Sequence, residues 1–317
     1  MKLQKFAILT AGIFCALPVE NAHAGLFINA TFDTSITSDA NAAAIEAGIN
    51  AAIARVEASI STTTTVNILF KEVSTGLGGS STARYNLSYS TYRSALMNNQ
   101  TLSSNDLTAL SSLPGGSVNP VNGDTHVLVE TALARALGIA NFSGSDGTIS
   151  LNTSIMNLSR TGPQNGSFYD LQAVVAHEVD EVLGIGGPGT SLPTTSGGVG
   201  VLDLFRYSAA GVRSFTTSSS ATAYFSIDGG VTNIANFNQS GGGSDFADWA
   251  SSATKRVQDA YGSPGTILDI GSAELTALDV VGWDLVAVPE PASVSTVFAA
   301  ALGAVGMMTR RRGRAQA

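Results

Sequence analysis

The segment Tyr169 to Leu183 constrains the fold of this chain most, because it combines helical periodicity with a charged residue that faces inward. Successive residues of an α-helix are rotated by about 100° around its axis. At that spacing one side of the segment is apolar and comprises Leu171, Val174, Val175, Val179 and Val182. Glu178 falls within this apolar side. A buried carboxylate is unstable unless a partner compensates its charge, so we expect Glu178 to serve a function.

Two further residues of the segment lie together at the border of the apolar side. His177 and Glu181 are four positions apart, which places their Cβ atoms about 5 to 6 Å from each other on a helix. Side chains in this arrangement can bind one ion. An ordinary surface pair of histidine and glutamate has the same spacing, so this alternative stays open. Asp180 points away from the apolar side, and we expect it to be solvated.

The residue types of this segment match the chemistry of a zinc site. A neutral imidazole from His177 and a carboxylate oxygen from Glu181 are both ligands of Zn²⁺, at about 2 Å. Glu178 can act as the general base that deprotonates a metal-activated water. Gly184 follows the segment and permits a sharp turn, which can bring a later ligand back to the helix.

The rest of the body predicts a mixed α+β fold. We expect strands at Leu26 to Asp33, Thr65 to Val73 and Gly147 to Ser154, and helices at Asp39 to Ile60, Ser104 to Leu113, His126 to Leu137 and Gly271 to Leu285. The glycine-rich stretch Gly76 to Gly79 is interpreted as a linker, since it lacks the lysine of a phosphate-binding loop. Short strands and loops are expected after Gly184, including a loop that packs by Trp249.

The strand at Gly147 to Ser154, the helix after it and the later blocks "DLFRYSAAGVRSF", "AYFSIDGGVTNIANFNQ", "DFADW" and "LTALDVVGWD" resemble a family of secreted bacterial zincin-like metalloproteases. The resemblance spans about Asn152 to Leu285. It implies a zincin-like fold, in which an edge strand beside the metal-binding helix holds the substrate backbone. Members carry His-Glu-x-x-His or a form with glutamate in the fifth place. It therefore implies His177 as a ligand, Glu178 as the base and Glu181 as the second ligand.

A third metal ligand is not evident from the motif. The metzincin branch of these enzymes has a histidine three positions after the glycine, where this chain has Gly187. Our first candidate for the third ligand is Asp203, and weaker candidates are Asp245 and Asp248. Glu274 is interpreted as a residue at the start of a helix.

The nature of the ion follows from these ligands. Zn²⁺ is the expected cofactor, and a site with several carboxylates could favour Ca²⁺ or Mn²⁺ instead. His126 is the other histidine of the body, and we interpret it as a helix residue without a metal role.

The first 24 residues have the pattern of a secretory signal peptide. Lys2 and Lys5 precede an apolar run, and small residues at Ala22 and Ala24 provide a site for signal peptidase. Cleavage after Ala24 would remove Cys15, the one cysteine of the chain. The exported body would then contain neither disulfides nor thiolate ligands.

The C-terminal residues 288 to 314 contain three consecutive features. The motif "VPEPAS" is followed by a short apolar segment at 294 to 308, which we interpret as a transmembrane segment, and by the basic end "RRRGR". This order resembles the PEP-CTERM sorting signal of Gram-negative bacteria. The resemblance implies processing by exosortase, transient anchoring in a membrane and a final location at the outer surface or in the extracellular matrix.

Between these two signals lies a body at residues 25 to 287, which we divide into a core at 25 to 190 and a C-terminal subdomain at 191 to 287. The chain has 24 acidic and 16 basic residues, a formal net charge of −8. This charge repels phosphate backbones, so we expect no nucleic-acid partner.

Two functions fit these observations. The first is an exported metallopeptidase that cleaves a protein or peptide substrate by means of a metal-activated water, with Glu178 as general base. The alternative is a non-catalytic surface or matrix protein on a zincin scaffold, in which His177 and Glu181 hold a structural ion or none.

Overall fold

The computed structural model describes residues 25–99, 101–187, 198–240 and 245–287. The predicted signal peptide at 1–24, the sorting signal at 288–314 with its apolar segment 294–308, and most of the predicted loop after Gly187 lie outside the described residues. None of the helices in the described ranges is long and apolar enough to cross a membrane.

The described part contains thirteen strands and seven α-helices. The strands are β1 (Leu26–Phe32), β2 (Thr64–Glu72), β3 (Gly78–Thr82), β4 (Arg84–Ser88), β5 (His126–Glu130), β6 (Gly147–Leu151), β7 (Met156–Asn157), β8 (Tyr169–Asp170), β9 (Val199–Gly200), β10 (Arg206–Ala209), β11 (Val212–Arg213), β12 (Tyr224–Phe225) and β13 (Ala235–Asn236). The helices are α1 (Thr34–Thr37), α2 (Ala42–Glu57), α3 (Tyr89–Met97), α4 (Ser104–Ser112), α5 (Thr131–Ala136), α6 (Leu171–Leu183) and α7 (Ser272–Val281).

The main sheet has the strand order β1-β2-β6-β3. β1, β2 and β6 are parallel, whereas β3 runs antiparallel to β6. β1 and β2 bury alternate side chains, including Ile28, Val66 and Phe70. Since β3 pairs with β6 on one side within the described part, it forms an edge of this sheet.

α2 connects β1 to β2, as a parallel pair of strands requires. Its alanine-rich sequence favours a helix, and Ile45, Ile49 and Ile53 bury one side of it. The helix also approaches α6 closely, because a Cβ added at Gly48 would lie 2.6 Å from Leu171 Cδ2. α2 and the sheet thus enclose the N-terminal part of α6.

α6 is fixed at both ends and on most of its surface. Asp170 caps its first turn by accepting a hydrogen bond from the Gln172 amide. Gly184 ends it with φ of 110°, a left-handed conformation that favours glycine. At the sheet, a Cβ added at Gly147 would lie 2.6 Å from Val182 Cγ2. Apart from Ala173 and His177, every residue of α6 is buried.

The C-terminal part is built from short strands and irregular segments around two tryptophans. β10 to β13 form an antiparallel sheet in the order β11-β10-β12-β13. The buried ring of Trp249 lies 5.6 Å from that of Phe225 and 5.2 Å from that of Phe237, measured between centroids. Trp283 donates a hydrogen bond from Nε1 to the carbonyl of Leu183, at 2.8 Å. These contacts join the C-terminal part to the end of α6.

The structure confirms the mixed α+β class, while the zincin-like assignment and the division of the body at residue 190 stay predictions. The strands at the N-terminus and the helices α2, α4, α6 and α7 confirm the expected elements, with ends that differ by a few residues. The loop at Trp249 also packs as predicted, with that side chain fully buried.

Two predictions of local structure are wrong. Residues 126 to 137 are not one helix, since β5 precedes the shorter helix α5 and His126 therefore lies on a strand. Gly78 and Gly79 belong to a strand, because β6 offers them a backbone partner. The edge strand beside α6 is consequently β3, and β6 lies inside the sheet.

Candidate metal centre

Three side chains converge at one point beside α6. His177 and Glu181 project from adjacent turns of the helix, as their spacing predicted, and Asp248 comes from the irregular segment after β13. His177 Nε2 lies 3.4 Å from Glu181 Oε1 and 3.4 Å from Asp248 Oδ2. One ligand atom from each residue lies within 4.8 Å of the other two. Asp248, a weaker candidate by sequence, is therefore the third member of this cluster.

Each of the three side chains also has an outer polar atom that is held by a neighbour. His177 Nδ1 lies 2.8 Å from the carbonyl of Val257. Ser80 Oγ donates to Glu181 Oε2 at 2.5 Å. The Gly187 amide donates to Asp248 Oδ1 at 2.6 Å. A carbonyl accepts only, so Nδ1 of His177 carries its proton. Nε2 is left to face the inner carboxylate oxygens of Glu181 and Asp248.

The cluster has an excess of negative charge. Asp248 is fully buried and Glu181 is 7% exposed, and the ion pairs found for these two residues in the described part of the chain are both with His177. Burial lowers the pKa of His177, but Asp248 and Glu181 outweigh it and hold that pKa well above its ordinary value. Asp248 Oδ2 has no hydrogen-bond partner among the described residues. Two buried carboxylates against one imidazole attract a further cation.

The donor set fits a divalent cation. Ligands at about 2.0 to 2.1 Å from a tetrahedral Zn²⁺ lie about 3.3 to 3.4 Å from one another. The two measured nitrogen–oxygen distances, both 3.4 Å, match that edge length. One imidazole nitrogen with two carboxylate oxygens also suits Mn²⁺, and carboxylate oxygens suit Ca²⁺. The residues present are thus able to hold the expected ion.

Glu178 lies beside the cluster and lines a cleft of about 120 Å³. Its side chain is buried, and burial raises its pKa to about 8, with His177 opposing the shift and Glu181 and Asp248 adding to it. A Cβ added at Gly78 would lie 2.5 Å from Glu178 Oε1. Gly78, the first residue of β3, therefore permits the edge strand to pass close to this carboxylate.

Three segments contribute most of the residues that line the cleft. β3 and the residue before it contribute Gly78 and Leu77, α6 contributes Val174 and His177, and the segment before α7 contributes residues between Arg256 and Leu268. Arg160 ties two of these segments together. Its guanidinium pairs with Asp170, the cap of α6, and with Asp269, both at 2.6 Å. Arg160 thus links the start of α6 to the segment before α7.

Asp245, the other weaker candidate, also lines the cleft but is not a member of the cluster. Burial raises its pKa, and Glu181 adds to that shift. Its carboxylate therefore contributes to the negative potential around His177 without converging on the same point.

The first candidate for the third ligand, Asp203, lies outside the cluster. It is buried in the turn Val201–Phe205, and its Oδ1 lies 3.7 Å from Arg206 Nη1. Glu130 is nearby and pairs with Arg84 at 3.2 Å. Burial raises the pKa of Glu130, with Arg84 opposing the shift and Asp203 adding to it. Asp203 thus belongs to a second acidic group, whose charge is compensated by arginines.

The prediction of a solvated Asp180 is wrong, because this residue is 0% exposed. Burial raises its pKa well above the ordinary value, and Glu274 adds to the shift. The projection assumed that only one side of α6 is buried, whereas the C-terminal part covers the opposite side. Glu274 itself lies at the start of α7, as predicted, and accepts a hydrogen bond from the Gly271 amide at 3.0 Å.

Sequence reasoning missed the neighbours that hold the cluster. Ser80 directly follows the predicted linker Gly76 to Gly79, and Val257 and Gln258 lie in a segment without periodicity. Gln258 is fully buried and donates to Asp248 Oδ1 at 2.9 Å. No motif marks these residues, since they meet α6 only through tertiary packing.

Comparison with known proteins identifies the tail of the chain. Residues 287–312 match the PEP-CTERM protein-sorting motif. This confirms the predicted sorting signal, which marks an exported protein of Gram-negative bacteria that is processed by exosortase and associates with the surface or the membrane. No curated protein and no solved structure matches the chain.

Proposed function

We propose that this protein is an exported, surface-sorted metallopeptidase. One observation carries the proposal: two carboxylate oxygens each lie 3.4 Å from His177 Nε2, the ligand-to-ligand distance of a tetrahedral ion. A buried glutamate that lines the cleft lies next to them. His177, Glu181 and Asp248 would hold the ion, with Zn²⁺ as the expected one and Mn²⁺ or Ca²⁺ as alternatives.

The chemistry follows from the positions of the side chains. A divalent ion in this cluster supplies Lewis-acid polarisation of a peptide carbonyl and activation of water. Glu178 accepts a proton from the attacking water at its carboxylate and delivers that proton to the departing amine. Burial raises the pKa of Glu178 to about 8 without an ion. A cation in the cluster would lower that pKa, so the carboxylate would be ionised and able to accept the proton.

The edge strand supports a polypeptide as the substrate. β3 forms an edge of the main sheet among the described residues and borders the cleft at Gly78. A strand edge presents backbone N–H and C=O groups, which an extended peptide can pair with. A peptide bound there would pass over Glu178.

The test is cleavage of a denatured protein by the purified chain in the presence of Zn²⁺. Glu178→Gln should reduce the rate by about 10² to 10⁴, the contribution of a positioned acid–base group, while the bound metal stays the same. Glu46→Gln, on the partly buried surface of α2, serves as the matched control and should retain full activity. Cleavage that survives in Glu178→Gln would reject this mechanism.

A second candidate function is a non-catalytic surface or matrix protein with a structural ion. The burial of Glu181 and Asp248 favours it, because solvent has little access to these two ligands. It predicts stoichiometric metal and a lower midpoint of thermal unfolding after chelation, without hydrolysis of any peptide. A library of denatured substrates tested with the metal-loaded chain separates the two functions.

A further inference from the structure

We propose that Ser80 and Gln258 are positioning residues, which orient the carboxylates of Glu181 and Asp248 so that one oxygen of each faces the cation. This inference rests on the proposed function for the presence of the cation. It adds to that function two residues that touch neither the ion nor the substrate, and it predicts their effect on metal affinity.

Gln258 acts on Asp248. Its side-chain Nε2 donates to Asp248 Oδ1 at 2.9 Å, and the Gly187 amide donates to the same oxygen at 2.6 Å. With Oδ1 occupied by two donors, Oδ2 is left to face His177 Nε2, 3.4 Å away. The amide also lies 3.3 Å from that nitrogen, so Gln258 borders the cluster directly.

The orientation of the Gln258 amide is determined by its surroundings. Rotation by 180° would place Oε1 against Asp248 Oδ1, and two acceptors would then repel each other. In the observed orientation Oε1 is buried and lacks a hydrogen-bond partner among the described residues. In this orientation the side-chain N–H of Gln258 donates to Asp248, although its carbonyl oxygen lacks the hydrogen bond that a buried acceptor normally forms.

The backbone around Gln258 leaves room for this contact. A Cβ added at Gly186 would lie 2.0 Å from Gln258 Nε2, and one added at Gly187 would lie 3.0 Å from Glu181 Cδ. Both glycines have positive φ, at 80° and 71°. The two glycines after α6 therefore bring the backbone against the carboxylates, which a residue with a side chain would prevent.

Ser80 acts on Glu181 in the same way. Its hydroxyl donates to Oε2 at 2.5 Å, and the other oxygen, Oε1, lies 3.4 Å from His177 Nε2. Glutamate has three rotatable side-chain bonds, so an untethered carboxylate samples several orientations and loses more entropy on binding an ion. The contact with the edge strand removes this freedom beforehand.

Together the two contacts fix the orientation of the carboxylates of Glu181 and Asp248 before an ion binds. Removal of a neighbour that orients a metal ligand typically lowers the metal affinity by a factor of about 10 to 100. We expect Ser80 and Gln258 to have effects of this size, because each fixes which oxygen of its carboxylate faces His177.

The experiment uses the full chain, with Zn²⁺ alone as the probe in competition with a chromophoric chelator. Ser80→Ala and Gln258→Met should each weaken Zn²⁺ binding by about 10-fold to 100-fold. Ser80→Thr, which restores the hydroxyl, should bind as the wild type does. The absorption spectrum of bound Co²⁺ should change in Ser80→Ala and Gln258→Met, since it reports the arrangement of the ligands.

Two matched controls remove the same chemical groups elsewhere. Ser81 is exposed on the same strand, and Gln239 is a buried glutamine whose Oε1 accepts from Arg206. Ser81→Ala and Gln239→Met should leave the affinity unchanged. Circular dichroism checks the fold of each variant, and if Gln258→Met does not fold, the pair Ser80→Ala and Ser80→Thr decides the question.

The outcomes separate the two proposals. If the wild type binds one ion and Ser80→Ala and Gln258→Met bind it equally well, the positioning role is rejected while the metal site stands. If the wild type binds no ion, the proposed function and this inference are both rejected.

Discussion

Two groups of buried carboxylates differ in what compensates their charge. The first group, Glu181 and Asp248, has one histidine as its ion-pair partner in the described part of the chain. The second group, Glu130 and Asp203, has two guanidinium groups, from Arg84 and Arg206. The second group has one guanidinium for each carboxylate. The first group has one imidazole for two carboxylates, so it needs a proton or a metal ion. Burial and residue type are alike in both, so the counter-charge distinguishes a structural group from a candidate metal centre.

The largest effect on stability is expected when an arginine of the second group is removed. Arg206→Met leaves the buried carboxylate of Asp203 without its guanidinium and should lower the free energy of unfolding by about 3 to 5 kcal/mol. Arg206 is fully buried and also donates to Phe246 and Gln239, which adds to the loss. Urea unfolding followed by circular dichroism measures it.

The same variant tests the separation of the two groups. Zn²⁺ affinity of the folded Arg206→Met protein should equal that of the wild type, since Arg206 belongs to the second group alone. The double variant Asp203→Leu/Arg206→Met should regain part of the stability, because it also removes the buried carboxylate that faced the guanidinium. A loss below about 1 kcal/mol in Arg206→Met would contradict the importance of the pair.

A smaller effect on stability is expected for two buried carboxylates that pair with no arginine in the described part of the chain. Asp106 and Asp279 join α4 to α7 through neutral donors, and Ser103 and Asn105 donate to Asp279 at 2.8 and 3.1 Å. Burial raises the pKa of Asp106 to about 6, with the Ser103 amide opposing the shift and Asp279 adding to it. This carboxyl is therefore neutral in the folded state at a pH where it is ionised in the unfolded state.

The sign of the pH dependence follows from this shift. Between about pH 4 and 6 the folded state binds more protons at Asp106 than the unfolded state, so this residue lowers stability as the pH rises. Asp106→Asn removes the effect and should gain about 1 kcal/mol relative to the wild type between pH 4 and 6, after allowance for solvent screening. Thermal unfolding of both proteins across this range measures it, and a constant difference would refute the expectation.

Local periodicity accounts for the parts of the fold that the sequence predicted. β1, α2 and β2 follow from alternating or helical apolar patterns, and the pair His177 and Glu181 follows from helical spacing. β3 could not be predicted in this way, because its glycines and serines form a strand only when β6 supplies backbone partners.

The third member of the cluster depends on tertiary packing. Asp203 and Asp248 both follow α6 in segments without periodicity, and nothing local shows which one returns to His177. One signal could have been used, since Arg206 stands three residues after Asp203 and pairs with it. Asp180 was misjudged for a related reason, because the helical projection cannot show that a later part of the chain covers the polar side of α6.

The most direct test of this account is the metal content of two aspartate variants. Three proteins are compared: the wild type, Asp248→Ala and Asp203→Ala. Each is loaded with Zn²⁺ and separated from excess ion. Circular dichroism checks its fold, and the number of ions per chain is then measured. We expect one ion in the wild type and in Asp203→Ala, and none in Asp248→Ala. Retention of the ion by Asp248→Ala together with its loss from Asp203→Ala would contradict the assignment of the metal centre.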